Sequence, residues 1–231
     1  MAVRGRDHDG VAMAFRYFLY VSDSKIDMLL PQIDPGFETK RTTKYGVNLQ
    51  MVAAERTTES AQPDRFARLE RVVWHLQDHG DLGSVDEPGQ FFGGVLPMSS
   101  GALPDGGDAS LVFFGGWNDH TAVGLGGSAR HLLGSVPGVD ASQAASSLMP
   151  TMLSQLGAGS ELEDEQVVDA VDGLAHGHRA ALATVHQAVR RLSLKSPAQN
   201  VEFVAKRLLH GTGPGGVPVL LGSPIYVALV D

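Results

Sequence analysis

Residues 117–120, Trp-Asn-Asp-His, stand between two glycine-rich runs, and Gly126, Gly127, Ser128 and His131 follow them closely. An imidazole beside a carboxylate is a pairing that moves protons, so His120 with Asp119 is one candidate acid–base pair, with Trp117 and Asn118 as candidate ligand contacts. Gly124-Leu125-Gly126-Gly127-Ser128-Ala129 also fits the G-x-G-x-x-G/A spelling that brings a backbone close to a pyrophosphate. The context opposes that use: Gly134, Pro137 and Gly138 stop the following helix after about two turns, whereas a dinucleotide fold needs a full one. No Gly-Lys-Ser/Thr occurs, which excludes a P-loop. Gly-Gly-Ser-Ala-Arg is not the G-x-S-x-G elbow, so Ser128 reads as an N-cap before it reads as a nucleophile. Gly126, Gly127, Ser128 and His131 stay candidate ligand-binding residues because a free helix N-terminus can hold an anion.

Three further places carry chemistry-bearing side chains. Asp23, Ser24 and Lys25 follow the strongest strand, and a strand-to-helix junction is where α/β proteins often place ligand groups; the plainer reading is caps and a surface lysine. Asp23 is thus a second candidate carboxylate and Lys25 a candidate ligand contact. His178 falls between Leu174 and Leu182 on an apolar stripe, which predicts burial and makes it either a satisfied core histidine or a general base. His75 and His79 have the i, i+4 spacing that lets two imidazoles share a metal, but two ligands are not a site, and an imidazolium at a helix C-terminus accounts for His79. No metal and no cofactor are expected.

The chain has no cysteine, which excludes disulfides, thiolate zinc, iron–sulfur clusters and a cysteine nucleophile. Its formal net charge is −8 with no long basic run, so nucleic acid is not an expected partner. Apolar runs fall short of a membrane span and no hydrophobic leader opens the chain, so a cytoplasmic protein without a membrane partner is expected.

The elements that must position these residues are legible in part. Residues 1–13 read as a tail or an upstream start, and 14–231 as a single domain. Phe15–Ser22 predicts a strand covered on both faces, followed by a short helix capped by Ser22, Asp23 or Ser24 and limited by Pro31. Tyr45–Glu55 suggests another strand, and the apolar spacing from Pro63 onward predicts a helix stopped at Gly80. Phe-Phe-Gly-Gly occurs at 91–94 and 113–116, both in predicted strands. Asn118-Asp119 is turn chemistry, which makes the opening stretch a hairpin whose second strand enters a short capped helix.

Glu161–Leu194 predicts a long helix with two working faces. Opposite its apolar stripe lie Gly173, Gly177, Ala180, Thr184 and Ala188, a small-residue stripe that would let a second backbone approach, so the helix is placed centrally. Ser196-Pro197-Ala198-Gln199 reads as a capping box opening a helix to about His210, and 217–230 as one or two strands broken at Gly222–Pro224. Together these predict an α+β fold: a mixed or antiparallel sheet packed with a long central helix and further helices.

The stretches FRYFLYVSDSKIDMLLPQI, LVFFGGWNDHTAVGLGGSARHLLG, NVEFVAKRLLHG and VPVLLGSPIYVALV resemble an uncharacterised family of actinobacterial proteins, a domain of unknown function. The resemblance spans the chain from Phe15 onward and implies a bacterial cytoplasmic setting and a single domain. It brings no catalytic residue.

Two classes of function remain. One is a small-molecule-binding protein or redox-cofactor-independent enzyme of bacterial metabolism, performing acid–base isomerisation, cyclisation or hydrolysis in a pocket between the glycine-rich hairpin and the central helix, with His120 or His178 moving the proton beside Asp119 or Asp23. The other is a non-catalytic sensor or adaptor of a regulatory or defence system, acting through a protein partner or a second copy of itself.

Overall fold

The computed structural model describes residues 16–34, 61–102, 111–134, 152–154, 156 and 173–230. The expected tail at 1–13, the expected strand at 45–55 and the first part of the expected long helix lie outside the described residues.

Among the described residues seven strands form one sheet: β1 Tyr17–Val21, β2 Leu82–Gly83, β3 Phe91–Ala102, β4 Leu111–Asn118, β5 Thr121–Ser128, β6 Gln199–Thr212 and β7 Pro218–Leu229. Antiparallel pairing joins β3 to β4, β4 to β5, β3 to β6, β6 to β7 and β1 to β7, while β5 runs parallel to β7 and β2 parallel to β3. Because β6 pairs with both β3 and β7, the path β3–β4–β5–β7–β6 returns to its start and the sheet closes as a barrel. One stretch of β7 pairs with β5 at Val219–Gly222 and a later one with β1 at Tyr226–Leu229, so the first and last of the described strands lie side by side.

Alternation along the strands sorts the side chains. Phe92, Leu96, Met98, Val112, Phe114, Val123, Leu125, Phe203 and Val227 point inward and fill the barrel together with Tyr20. The outward residues form two more cores. One lies under helices α1 (Asp23–Ile33) and α2 (Ala61–Asp78), where Ile26, Leu30, Leu69 and Val72 pack on Val204, Ile225 and Tyr226. The other lies under α3 (Gly173–Lys195) and residues 152–156, where Leu182, Val185, Val189 and Met152 pack on Leu111, Phe113 and Leu221. Cover on both faces explains why β7 is apolar at almost every position.

Local signals held where they were steric. Gly80 has φ +73°, and the bonds Asp81 N–H to Leu76 O at 3.0 Å and Gly80 N–H to Gln77 O at 3.4 Å close α2 in a Schellman motif. The hairpin turns at Asp119–His120 with Asp119 at φ +45°, and β5 enters a single 3₁₀ turn at Ala129–His131 in place of a two-turn helix.

Three expectations need correction. Residues 199–210 form strand β6, and Ser196–Gln199 is no capping box. The segment after Pro218 is one continuous strand, with register irregularities that absorb the region of Gly222–Pro224. Helix α3 is peripheral: Gly177 and Ala180 of its small-residue stripe face solvent, and a Cβ on Gly177 would meet nothing within 4 Å. Among the described residues only one side of α3 is packed; His178 lies on that side, where a Cβ on Gly211 would meet Leu182 at 2.9 Å and His178 Nε2 at 3.2 Å, but it is exposed and not buried.

Candidate functional site

The sharpest polar cluster lies where β1 hands over to α1. Ser22 ends the strand and occupies the N-cap position, yet its hydroxyl caps nothing. It accepts a hydrogen bond from Lys25 Nζ at 3.3 Å instead, and the same amine donates to the carbonyl of Pro224 at 2.9 Å. One helical turn carries Lys25 back over Ser22, and the irregular stretch of β7 supplies the carbonyl. Tyr20, two residues before Ser22 and so on the same face of β1, is 0% exposed, and its hydroxyl makes no hydrogen bond in the structure. Ser22 is close enough to bias the phenol toward ionisation, but burial outweighs this and pushes its pKa well above the ordinary tyrosine range.

Across from α1, the end of β5 brings in Arg130 and His131. Arg130 donates to Ser24 Oγ at 3.1 Å and to His131 Nε2 at 3.3 Å, and the buried His131 ring meets Tyr20 edge-on at 5.7 Å between centroids. Accepting at Nε2 requires a neutral imidazole with its proton on Nδ1. Burial, then Arg130 and Lys25, hold His131 down to about 4. Burial, then Arg130 and Lys206, lower Lys25 to about 8.

The electrostatic balance of this corner is positive. Arg65 is spent on Asp23, to which it donates from Nε at 2.7 Å and from a second guanidinium nitrogen. Lys25, Arg130 and Lys206 have no carboxylate within ion-pair distance among the described residues. Ser24 and Arg130 form the exposed rim, while Ser22, Tyr20 and His131 form the buried floor.

Of the residues singled out from sequence, this corner gathers Asp23, Lys25 and His131, with Ser128 one residue before the 3₁₀ turn. Trp117, Asn118, Asp119 and His120 sit at the far end of β5, roughly 23 Å away along the strand at ~3.3 Å per residue. There Asn118 donates to Asp86 at 2.8 Å, Trp117 packs edge-on against His186 at 5.6 Å, and Asp119 and His120 are exposed. His120 and His178 are therefore not brought to Asp23.

The expected pocket between hairpin and helix is filled. A Cβ on Gly115 would lie 3.2 Å from the Val189 Cα, so the glycine lets α3 seat on the barrel. Gly126 and Gly127 face Met152 and the Tyr20 ring, which occupy the space a cradled ligand would need.

Sequence reasoning took Ser22 as a cap only and passed over Tyr20, Arg130 and Lys206. The Ser-x-x-Lys spacing of Ser22 and Lys25 was the readable signal. Arg130 stands beside His131 in the 3₁₀ turn, whereas Lys206 reaches the corner through strand pairing, which leaves no local trace.

A groove of about 480 Å³ runs between β1 and α2, lined by Arg16, Phe18, Arg71, Trp74 and Tyr226 among others. His75 and His79 stack at 3.9 Å between ring centroids, and no group of three or more metal-ligating side chains occurs among the described residues. None of the described helices is long and apolar enough to cross a membrane. Comparison with curated proteins and with solved structures gives no match. Comparison with protein families does: over residues 16–231 the sequence matches a family of unknown function, DUF7019, and the chain belongs to that family.

Proposed function

We propose that the protein binds a small molecule bearing an anionic group, carboxylate or phosphate, at the corner formed by Ser22–Lys25, Arg130–His131 and Lys206. The observation that carries this is the convergence of three cations without carboxylate partners among the described residues, one of them the Lys25 amine fixed on Pro224 O, beside a buried, unpaired phenol. Lys25 is the part-buried charge of the three, and an anion would offset its desolvation and take charge-assisted hydrogen bonds from the exposed Arg130. Acid–base chemistry belongs to the same site, because Lys25 and His131 both have proton affinities displaced toward working pH or below it.

Titration of the labelled protein with inorganic phosphate or acetate tests this by amide chemical shifts. Changes should concentrate at 22–26 and 129–131, and Lys25→Met or Arg130→Ala should weaken binding by about tenfold or more. Shifts confined to other surfaces would remove the proposal.

A second reading, a sensor or adaptor with a protein partner, draws on the groove beside β1, where Trp74 is 55% and Tyr17 70% exposed. Exposed aromatics flanking a groove are a common feature of interfaces. Light scattering of wild type and Trp74→Ser tests self-association: a dimer lost in the variant supports this reading, and a monomer in both removes its self-assembly form.

A further inference from the structure

We infer that Ser22 and Lys25 form a Ser–Lys acyl-transfer dyad that hydrolyses a small carboxylic ester whose anionic end rests on Arg130 and Lys206. The inference rests on the anion-binding reading above and adds a reaction to it. Ser22 stands at the junction of a strand and an eleven-residue helix, the placement that exposes a nucleophile to helix-terminal amides. The Lys25 amine lies one turn on, 3.3 Å from the serine oxygen, and that oxygen is not used for capping. Pro224 O fixes one amine hydrogen, which orients the nitrogen toward Ser22. Ser–Lys pairs are a variant of the serine catalytic constellation, and Ser-x-x-Lys is the spacing of a known serine nucleophile with its neighbouring lysine. Neither Ser-Asp-Asn nor Lys-Thr-Gly, the companion motifs of one such enzyme class, occurs in the chain, so the assignment stands on this geometry alone.

The remaining groups have parts to play. The amides of Asp23 and Ser24, the first of the helix, have no intrahelical acceptor and can receive the developing oxyanion. The Tyr20 hydroxyl, buried and unpaired on the Ser22 face, can hydrogen-bond to the leaving oxygen while keeping its own proton. Lysine is useful as a base only when neutral, and its lowered proton affinity supplies that form near pH 8. In the first step the serine oxygen bonds to the carbonyl carbon as its proton passes to the amine. The carbon–oxygen bond to the alcohol then breaks, and that proton leaves with the alcohol. Water cleaves the acyl-serine by the same exchange and releases the carboxylic acid. Ser22 is 1% exposed beneath the exposed Ser24 and Arg130, so an ester reaches it by displacing the Arg130–Ser24 hydrogen bond.

Treatment of the full chain with a fluorophosphonate probe tests the dyad. The expected result is a single adduct, mapped by peptide mass to Ser22, that forms faster as pH rises through about 8. Ser22→Ala should abolish it, and Lys25→Arg should slow it about 100-fold or more and remove the inflection. If Ser22→Ala does not fold, mapping on wild type and the Lys25→Arg pH profile still decide. No adduct, an adduct elsewhere, or an unchanged profile in Lys25→Arg overturns the dyad. Phosphate titration of the same samples separates the two claims: binding without labelling leaves the anion site and removes the hydrolase, and loss of both removes both.

Discussion

At the scale of single residues, glycines divide into those that admit a neighbour and those that do not. At Gly126 the position of a Cβ is occupied by Met152 Sδ, and at Gly124 it lies 2.6 Å from the Phe113 ring. Gly124→Val is therefore expected to destabilise the fold by about 1–3 kcal/mol through overpacking, seen as a lower chemical-denaturation midpoint. Gly177 meets nothing and lies within α3, so Gly177→Ala should stabilise by about 0.5–1 kcal/mol in the same assay. A loss at Gly177 would return α3 to a central, two-sided position. His131 gives a pH signature. Its folded pKa of about 4 lies below the ordinary histidine value of 6.5, so the unfolded chain binds more protons between those values. The stability from neutral His131 is complete above pH 6.5 and is lost as pH falls toward 4. In urea titrations the slope of stability against pH over this window should flatten in His131→Gln.

At the scale of elements, what each segment touches decides its form. Leu182 is buried under α3, whereas Leu194 near the end of the same helix is exposed. Leu182→Ala should cost about 2–5 kcal/mol and Leu194→Ala less than about 0.5, measured by denaturant unfolding. The same logic shows what was legible in the sequence. Strand β1, helix α2 and the 117–121 hairpin announced themselves because their apolar residues and turn chemistry act locally. Strand β6 did not. Val201, Phe203 and Ala205 face the barrel interior while Val204 and Leu209 face the outer cores, so both faces are apolar. Two covered faces erase the period of two, and Val201, Val204 and Leu208 then imitate helical spacing. The site was half legible for a related reason: Lys25, Asp23 and His131 sit at element junctions visible in the sequence, but Lys206 and the Pro224 carbonyl arrive by register across β6 and β7.

At the scale of the whole molecule, closure of the barrel makes its parts interdependent. Strand β7 contributes to pairings with β1, β5 and β6, and Tyr17 of the first strand lies opposite Leu229 of the last. The helices cover two separate outer cores, but each core includes β7 residues: Val227 inside, Tyr226 under α1 and α2, Leu221 under α3. Loss of β7 order would therefore open all three cores at once, which is the condition for all-or-none unfolding. The chain's two tryptophans, Trp74 on α2 and Trp117 at the end of β4, report from these separate faces. Trp74→Phe and Trp117→Phe each leave one reporter, and the fluorescence midpoints in urea should coincide with each other and with far-ultraviolet circular dichroism once each variant's own stability is allowed for. Adding Phe203→Ala, a deletion inside the barrel costing about 3–5 kcal/mol, should move both reporters' midpoints together. If Trp117 shifted while Trp74 did not, the α1–α2 layer would be an independently folding unit and the barrel would not bind the molecule into one cooperative structure.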